Sequence, residues 1–114
     1  MFTEARLILP NLDNNGDSLD VTHDVLAEYL IDAFGGFTSQ AVQGGFKGED
    51  GTVYREAGTA YDVALDDSAD NQAYLRGIAR WAAGAADQEC VYLRQPSGAV
   101  EFIEPETAPT VPAE

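Results

Sequence analysis

The sequence predicts an α+β fold, a ferredoxin-like sandwich in which an antiparallel sheet carries two helices on one face. Two segments have the 3.6-residue period of helices, and the extended segments around them give the order β-α-β-β-α-β-β. The 114 residues, 45% of them hydrophobic, suffice for one core. We therefore expect one domain over residues 1–103, followed by a disordered, acidic, Pro-rich tail over residues 104–114.

The first strand and the first helix follow from an apolar run and a helical period. Leu7–Leu9 is a short apolar run that stops at a proline, and it predicts a strand. After a polar loop, Thr22–Phe34 gathers its apolar residues on one side at 100° per residue, which predicts a helix. Asp20 or Thr22 is expected to cap this helix, and Gly35 to end it.

The middle of the chain has the pattern of a hairpin. Phe37–Phe46 and Thr52–Glu56 are extended segments on either side of a Gly-rich loop. Gly58 suggests a bulge or a bend. Beyond it, apolar residues alternate over Tyr61–Leu65, which predicts a strand with one face on the core.

The last third predicts a helix and a second hairpin. Asp70–Ala86 carries an apolar face that includes Tyr74 and Trp81, which we expect to lie in the core. Glu89–Arg94 and Ala99–Ile103 are extended segments joined by a Pro-Ser-Gly turn.

The charge excludes some classes of partner. The formal net charge is −14, and without the three tail glutamates the 17 acids and 6 bases of the folded part still give −11. Such a chain repels phosphate backbones and anionic lipid, so we expect neither direct nucleic-acid binding nor membrane binding. A basic host protein is the natural partner, although acidity can also serve solubility alone.

The compartment follows from what the chain lacks. Its one cysteine, Cys90, cannot form an internal disulfide, and the N-terminus has no secretory signal. No apolar run approaches the ~20 residues that a membrane span needs. These observations predict a soluble, cytoplasmic protein.

Four acids stand at strict i,i+4 spacing on the first helix, opposite its apolar side. This acidic ridge consists of Asp20, Asp24, Glu28 and Asp32. Like charges at this spacing cost about 0.2–0.5 kcal/mol per pair, so the ridge is a candidate docking surface for a basic protein. The alternative is an ordinary solvated helix face.

A half-formed calcium pattern precedes the first helix. Asn11, Asp13 and Asn15 alternate and Gly16 follows, as in the first half of an EF-hand loop, but the twelfth position is Thr22 instead of a carboxylate. We therefore expect a polar turn and no metal. No motif for a cofactor is present, and no catalytic residue is identified.

Several short motifs lie between Ala33 and Phe102, namely Phe34-Gly35-Gly36-Phe37-Thr38, Gly45-Phe46, Glu56 and Gln88-Glu89-Cys90-Val91. They resemble the motifs of a family of small uncharacterised proteins of bacteria and their phages. The resemblance implies a compact α+β fold and a phage or prophage origin, and it brings no established activity. Its polar members, Glu56, Gln88 and Glu89, could line a pocket between sheet and helices together with Tyr54 and Arg76.

Two functions follow from these features. The first is an acidic, non-enzymatic interaction protein, a phage-type inhibitor and nucleic-acid mimic that occupies the nucleic-acid-binding surface of a host protein. The alternative is a small-ligand or nucleotide-binding protein, or a small enzyme, that uses the pocket. An exposed sheet edge or face would also allow a homodimer.

Overall fold

A computed structural model describes residues 2–106 of the chain. Within that range there are five strands and two helices, in the predicted order. Their bounds are β1 Thr3–Pro10, α1 Asp20–Phe34, β2 Thr38–Lys47, β3 Val53–Leu65, α2 Ala69–Ala85, β4 Val91–Arg94 and β5 Val100–Ile103.

The strands form one antiparallel sheet in the order β2-β3-β1-β4-β5. β1 lies in the centre and pairs with β3 over eight residues and with β4 over three. This is the ferredoxin-like order with β5 added at the β4 edge, so the predicted fold class is confirmed. Strands β2 and β5 form the two edges.

Alternate residues of the strands separate the two faces of the sheet. Leu7, Val63 and Leu93 point to the side where the helices pack, together with Leu26 of α1 and Leu75 of α2. All five are at most 1% exposed. We call this side the covered face, and the opposite side, which bears no helix of residues 2–106, the uncovered face.

Strand β3 is longer than predicted because it runs without a bulge through Gly58. Gly58 is paired with Pro10 of β1 on one side and Val42 of β2 on the other. A Cβ atom there would lie 3.0 Å from the carbonyl oxygen of Leu9. The glycine therefore permits close approach of β1 to β3, and the predicted bulge is wrong.

The ends of the helices differ in how well the sequence anticipates them. Leu19 is the N-cap residue of α1 and its side chain makes no capping bond, so the prediction of an Asp20 or Thr22 cap is wrong. Gly35 ends the helix in the left-handed conformation at φ 87°, as expected. Ser68 caps α2 by accepting a hydrogen bond from the Asn71 amide.

Of the two expected core aromatics, Tyr74 lies at the surface and Trp81 packs at the edge of the core. Tyr74 is 57% exposed and Trp81 is half-buried, because the centre of the α2 contact is filled by Leu75, Ile78 and small residues. No helix within residues 2–106 is long and apolar enough to cross a membrane. Of the predicted tail, residues 107–114 lie outside the described part of the chain.

Candidate functional site

An open cavity of about 660 Å³ lies on the uncovered face of the sheet. It is referred to below as the sheet-face pocket. Its lining comes from five strands and two loops: Ile8, Pro10, Asn14, Val42, Gln43, Gly44, Phe46, Glu56, Gly58, Gln88, Glu89, Cys90, Val91, Tyr92 and Phe102. Its volume falls in the range of small-molecule sites.

Two glycines belong to the lining of the pocket. Gly44 of β2 is paired with Glu56 of β3, and a Cβ atom at Gly44 would meet nothing within 4 Å. Gly58 lies two residues further along β3 on the same face. Since Gly44 carries no side chain and its Cβ position is open, the pocket extends to the backbone there, whereas the Cβ position of Gly58 lies against β1.

The structure brings together three of the five predicted pocket residues. Glu56 of β3 and the adjacent pair Gln88 and Glu89, which precede β4, all line the sheet-face pocket. They lie on the uncovered face rather than between sheet and helices, because apolar side chains of α1 and α2 fill the covered face.

The other two predicted residues, Tyr54 and Arg76, do not line the pocket. Tyr54 stacks on Phe46 at a centroid separation of 5.1 Å, so it supports a lining residue from outside. Arg76 belongs to α2, where its Nε donates to Glu101 at 2.7 Å. This bond lowers the pKa of Glu101 and raises that of Arg76.

Aromatic rings form much of the wall. Phe46 stands at the β2 end of the pocket, and Tyr92 and Phe102 meet edge to face on β4 and β5 at 6.1 Å. Phe102 is 67% exposed and Phe46 54%, so both rings leave apolar surface open at the wall of the cavity.

The charges of the lining have one sign. The described residues around the pocket include two carboxylates, Glu56 and Glu89, and no lysine, arginine or histidine. Carboxylates and aromatic faces both attract cations. The pocket therefore suits a ligand that carries a positive charge and an aromatic group.

Cys90 lines the pocket but is not an activated nucleophile. Burial, followed by the nearby carboxylates of Glu89 and Glu104, raises the pKa of its thiol. A raised pKa leaves less thiolate at neutral pH. Among the described residues, no group of three or more His, Cys, Asp and Glu side chains is arranged to hold a metal ion.

His23 lies next to Pro10, and both of its ring nitrogens contact groups of the fold. Its Nε2 lies 2.8 Å from the Pro10 carbonyl oxygen, and its Nδ1 lies 2.6 Å from the Tyr61 hydroxyl. Because a carbonyl can only accept, Nε2 carries a proton and donates it to Pro10. Burial, with a contribution from Asp24, raises the pKa of Tyr61 to about 12.

The acidic ridge lies apart from the pocket. Asp20, Asp24, Glu28 and Asp32 are all exposed on α1, which packs on the covered face. The sheet thus stands between the ridge and the sheet-face pocket.

Sequence reasoning missed the strand residues that complete the pocket. Ile8, Tyr92 and Phe102 alternate with core residues, so they belong to the face that was expected to meet solvent. A large apolar side chain at such a position is the signal that could have identified them. Asn14 was missed because its loop looked like a self-contained turn.

The fold resembles solved structures of an enzyme. One is a phage SAM lyase in complex with S-methyl-5'-thioadenosine, with a TM-score of 0.69, 17% sequence identity, and coverage of 94% of this chain and 92% of that chain. A second is a phage SAM lyase in the apo state, with a TM-score of 0.68, 15% identity, and coverage of 94% and 91%. No family model matches the chain, and no curated protein matches it.

These structures correct the predicted function. The interpretation as a non-enzymatic inhibitor and nucleic-acid mimic is contradicted, because the similar folds belong to an enzyme with a small-molecule ligand. That interpretation rested on the net charge of the chain and on the acidic ridge of α1, whereas the likeness of fold extends over nearly the whole chain.

Proposed function

We propose that the chain is a small enzyme that binds S-adenosylmethionine (SAM) in the sheet-face pocket and cleaves it, releasing S-methyl-5'-thioadenosine (MTA). The observation that carries this proposal is a pocket with two carboxylates, three aromatic rings and no basic side chain among its described lining residues. The likeness of the fold to a phage SAM lyase supports it.

The two ends of the pocket suit the two parts of SAM that differ most in chemistry. Adenine is a flat π system, and stacking of a base on an aromatic side chain contributes about 1–3 kcal/mol. Phe46, Tyr92 and Phe102 provide such surfaces. The sulfonium is a cation that cannot donate a hydrogen bond from sulfur, so it is held by carboxylate charge and ring faces.

The reaction requires the bond between the sulfonium sulfur and the γ-carbon of the methionine part to break. The electron pair of that bond goes to sulfur, which becomes the neutral thioether of MTA. As this bond breaks, the carboxylate of the four-carbon fragment attacks the γ-carbon and closes a lactone, or a base removes a β-proton and the fragment becomes an alkene. Glu56 and Glu89 are the bases that the pocket offers for the second route.

The apolar part of the lining favours this chemistry. The sulfonium loses its positive charge as the bond breaks, and a charge is less well solvated beside Ile8, Val42 and Val91 than in water. An environment that solvates the reactant less than water does lowers the barrier to a step that removes charge.

The test is to incubate the purified chain with SAM and to measure MTA and the four-carbon product by liquid chromatography and mass spectrometry. We expect Glu56→Gln and Glu89→Gln to reduce kcat/KM for SAM by about tenfold to a hundredfold, as loss of a contact to a charged group does. Glu28→Gln on the acidic ridge is the matched control, since it removes one carboxylate on the far side of the sheet.

Measuring the binding of both ligands separates the contribution of charge from that of shape. Glu56→Gln should weaken the binding of SAM more than that of MTA, because MTA has no sulfonium. Equal losses for both ligands would contradict a contact between Glu56 and the sulfonium. Absence of MTA formation by the wild-type chain would contradict the lyase, and absence of SAM and MTA binding would contradict the pocket.

A further inference from the structure

The loop before α1, residues 11–18, is held by its own hydrogen bonds. Asp13 Oδ1 accepts from the backbone amides of Asn15 at 2.8 Å and Asp17 at 2.9 Å. Gly16 adopts a left-handed φ of 82°, and Leu12 pairs with Ser18 across the base of the loop. The alternating polar pattern therefore builds a tight turn.

The base of this loop is fixed to the sheet beside the pocket. The Asn11 amide donates to the Ala57 carbonyl at 3.0 Å, and the Thr59 hydroxyl donates to Asn11 Oδ1 at 2.8 Å. The Leu19 amide closes the loop by donating to the Asn11 carbonyl at 3.0 Å. Both ends are thus held next to Gly58, and the tip has a defined position.

The tip of the loop contacts the corner between α2 and β4. Asn14 Nδ2 donates to the carbonyl oxygen of Asp87 at 3.1 Å, across 73 positions of sequence. That corner is a helix-ending motif in which the amides of Asp87 and Gln88 donate back to Gly84 and Ala83. Asp87 takes the left-handed position, at φ 52°, that glycine usually fills.

We propose that Asn14 is a positioning residue, which holds the Gln88–Glu89 wall of the sheet-face pocket and thereby sets how tightly the pocket binds its ligand. Gln88 and Glu89 follow Asp87 directly, and both line the pocket with Asn14 itself. The identity of the ligand rests on the proposed function, whereas the contact between loop and corner does not.

The conformation at Asp87 explains why the corner needs this contact. A non-glycine residue in the left-handed region is less stable than in its ordinary conformations, so the corner opens more readily than one ended by glycine. The hydrogen bond from Asn14 opposes opening at the residue that precedes the wall. It links two segments that the sheet alone leaves separate.

The experiment compares Asn14→Asp with Asn15→Asp in the full chain at pH 7. Both changes add one negative charge to the same loop at nearly constant volume. Only Asn14→Asp removes a donor from the Asp87 carbonyl, since the Asn15 side chain makes no hydrogen bond within residues 2–106. The neutral ligand MTA is the binding probe, so that the added charge acts little on it directly.

Two measurements are made on each variant. Hydrogen exchange at the Asp87 and Gln88 amides should be about three- to tenfold faster in Asn14→Asp than in Asn15→Asp, as expected for loss of one hydrogen bond. The Kd for MTA, measured by calorimetry, should rise by a similar factor in Asn14→Asp alone.

Each outcome is decisive for one part of the proposal. Equal exchange in the two variants would overturn the contact as a constraint on the corner. Faster exchange with an unaltered Kd would overturn the role of Asn14 in binding. A wild-type chain that binds neither MTA nor SAM would overturn the proposed function and the effect of Asn14 on affinity together. The exchange measurement would still test the contact between Asn14 and the Asp87 carbonyl.

Discussion

The two faces of the sheet are built by the same strands and differ in what fills them. On the covered face, Leu7 and Leu93 meet the helices and are at most 1% exposed. On the uncovered face, the neighbouring residues Ile8 and Tyr92 line the sheet-face pocket. The period of two along a strand thus supplies a core and a candidate site from one stretch of sequence.

The carboxylates of the two sides differ in the same way. The acidic ridge of α1, on the covered side, is regular in sequence and each of its members is exposed to water. The pocket carboxylates Glu56 and Glu89 are 33 positions apart in sequence and share a cavity with aromatic rings. The regular spacing of the ridge therefore drew attention to acids that only face water. The acids that share a cavity with aromatic rings are brought together by the fold and not by their spacing in sequence.

The largest effect that would sharpen this comparison is on stability. Leu7→Ala should lower the free energy of unfolding by about 3 kcal/mol, because it opens a cavity among fully buried side chains. Ile8→Ala, one position along β1, should lower it by about 1 kcal/mol, because Ile8 is only half-buried. Urea denaturation followed by Trp81 fluorescence measures both.

Ligand binding should follow the opposite order. Ile8→Ala removes part of the pocket wall and should raise the Kd for MTA. Leu7→Ala should leave that Kd close to the wild-type value under conditions in which the variant is folded. If Ile8→Ala cost as much stability as Leu7→Ala, the distinction between the two faces would fail.

The second effect concerns the floor of the pocket. Gly44→Val places a branched side chain where a Cβ atom meets nothing within 4 Å, so the chain should fold normally and the pocket should be partly filled. We expect MTA to bind at least about tenfold more weakly, a loss of about 1.4 kcal/mol. Calorimetry with MTA measures it.

The control lies on the same strand. Gly45 is the next residue of β2 and points to the other face, where an added Cβ atom would contact the Tyr54 carbonyl oxygen at an ordinary 3.7 Å. Gly45→Val therefore adds the same side chain outside the pocket. Similar losses of MTA affinity in both variants would place the ligand elsewhere.

The sequence predicted the fold better than the site, for physical reasons. Helical and strand periods record burial against the core, so the order of elements and the turn at Gly35 followed from local patterns. Glu56, Gln88 and Glu89 could be named as a group only through a resemblance. Their position on the uncovered face depends on the register of β1 with β3 and β4, which is a tertiary property.

Arg76 shows where the prediction of the pocket failed. A basic residue was expected beside the pocket glutamates, but α2 packs on the covered face and directs Arg76 to Glu101. Glu101 lies on β5 between Val100 and Phe102, and its neighbour Phe102 lines the pocket. Adjacent residues of β5 thus point to opposite faces of the sheet: Glu101 forms an ion pair on one face, and Phe102 lines the pocket on the other.

The smallest of the three effects is the pH dependence of this ion pair. The hydrogen bond from Arg76, supported by Gln95, lowers the pKa of Glu101 below its ordinary value near 4.3. A lowered folded-state pKa means that the pair stabilises the fold above the unfolded-state pKa, and that this contribution is lost as the pH falls through the folded-state value. Glu101→Gln should therefore lower the free energy of unfolding by about 1 kcal/mol at pH 7, since both partners are partly exposed, and by much less at pH 3.

Urea denaturation at the two pH values measures this difference. Glu89→Gln, which removes a carboxylate without an ion pair within residues 2–106, serves as the control. If Glu101→Gln weakened MTA binding as much as Gly44→Val does, the ion pair of Arg76 and Glu101 would have to contact the ligand. That result would contradict the separation between the two faces.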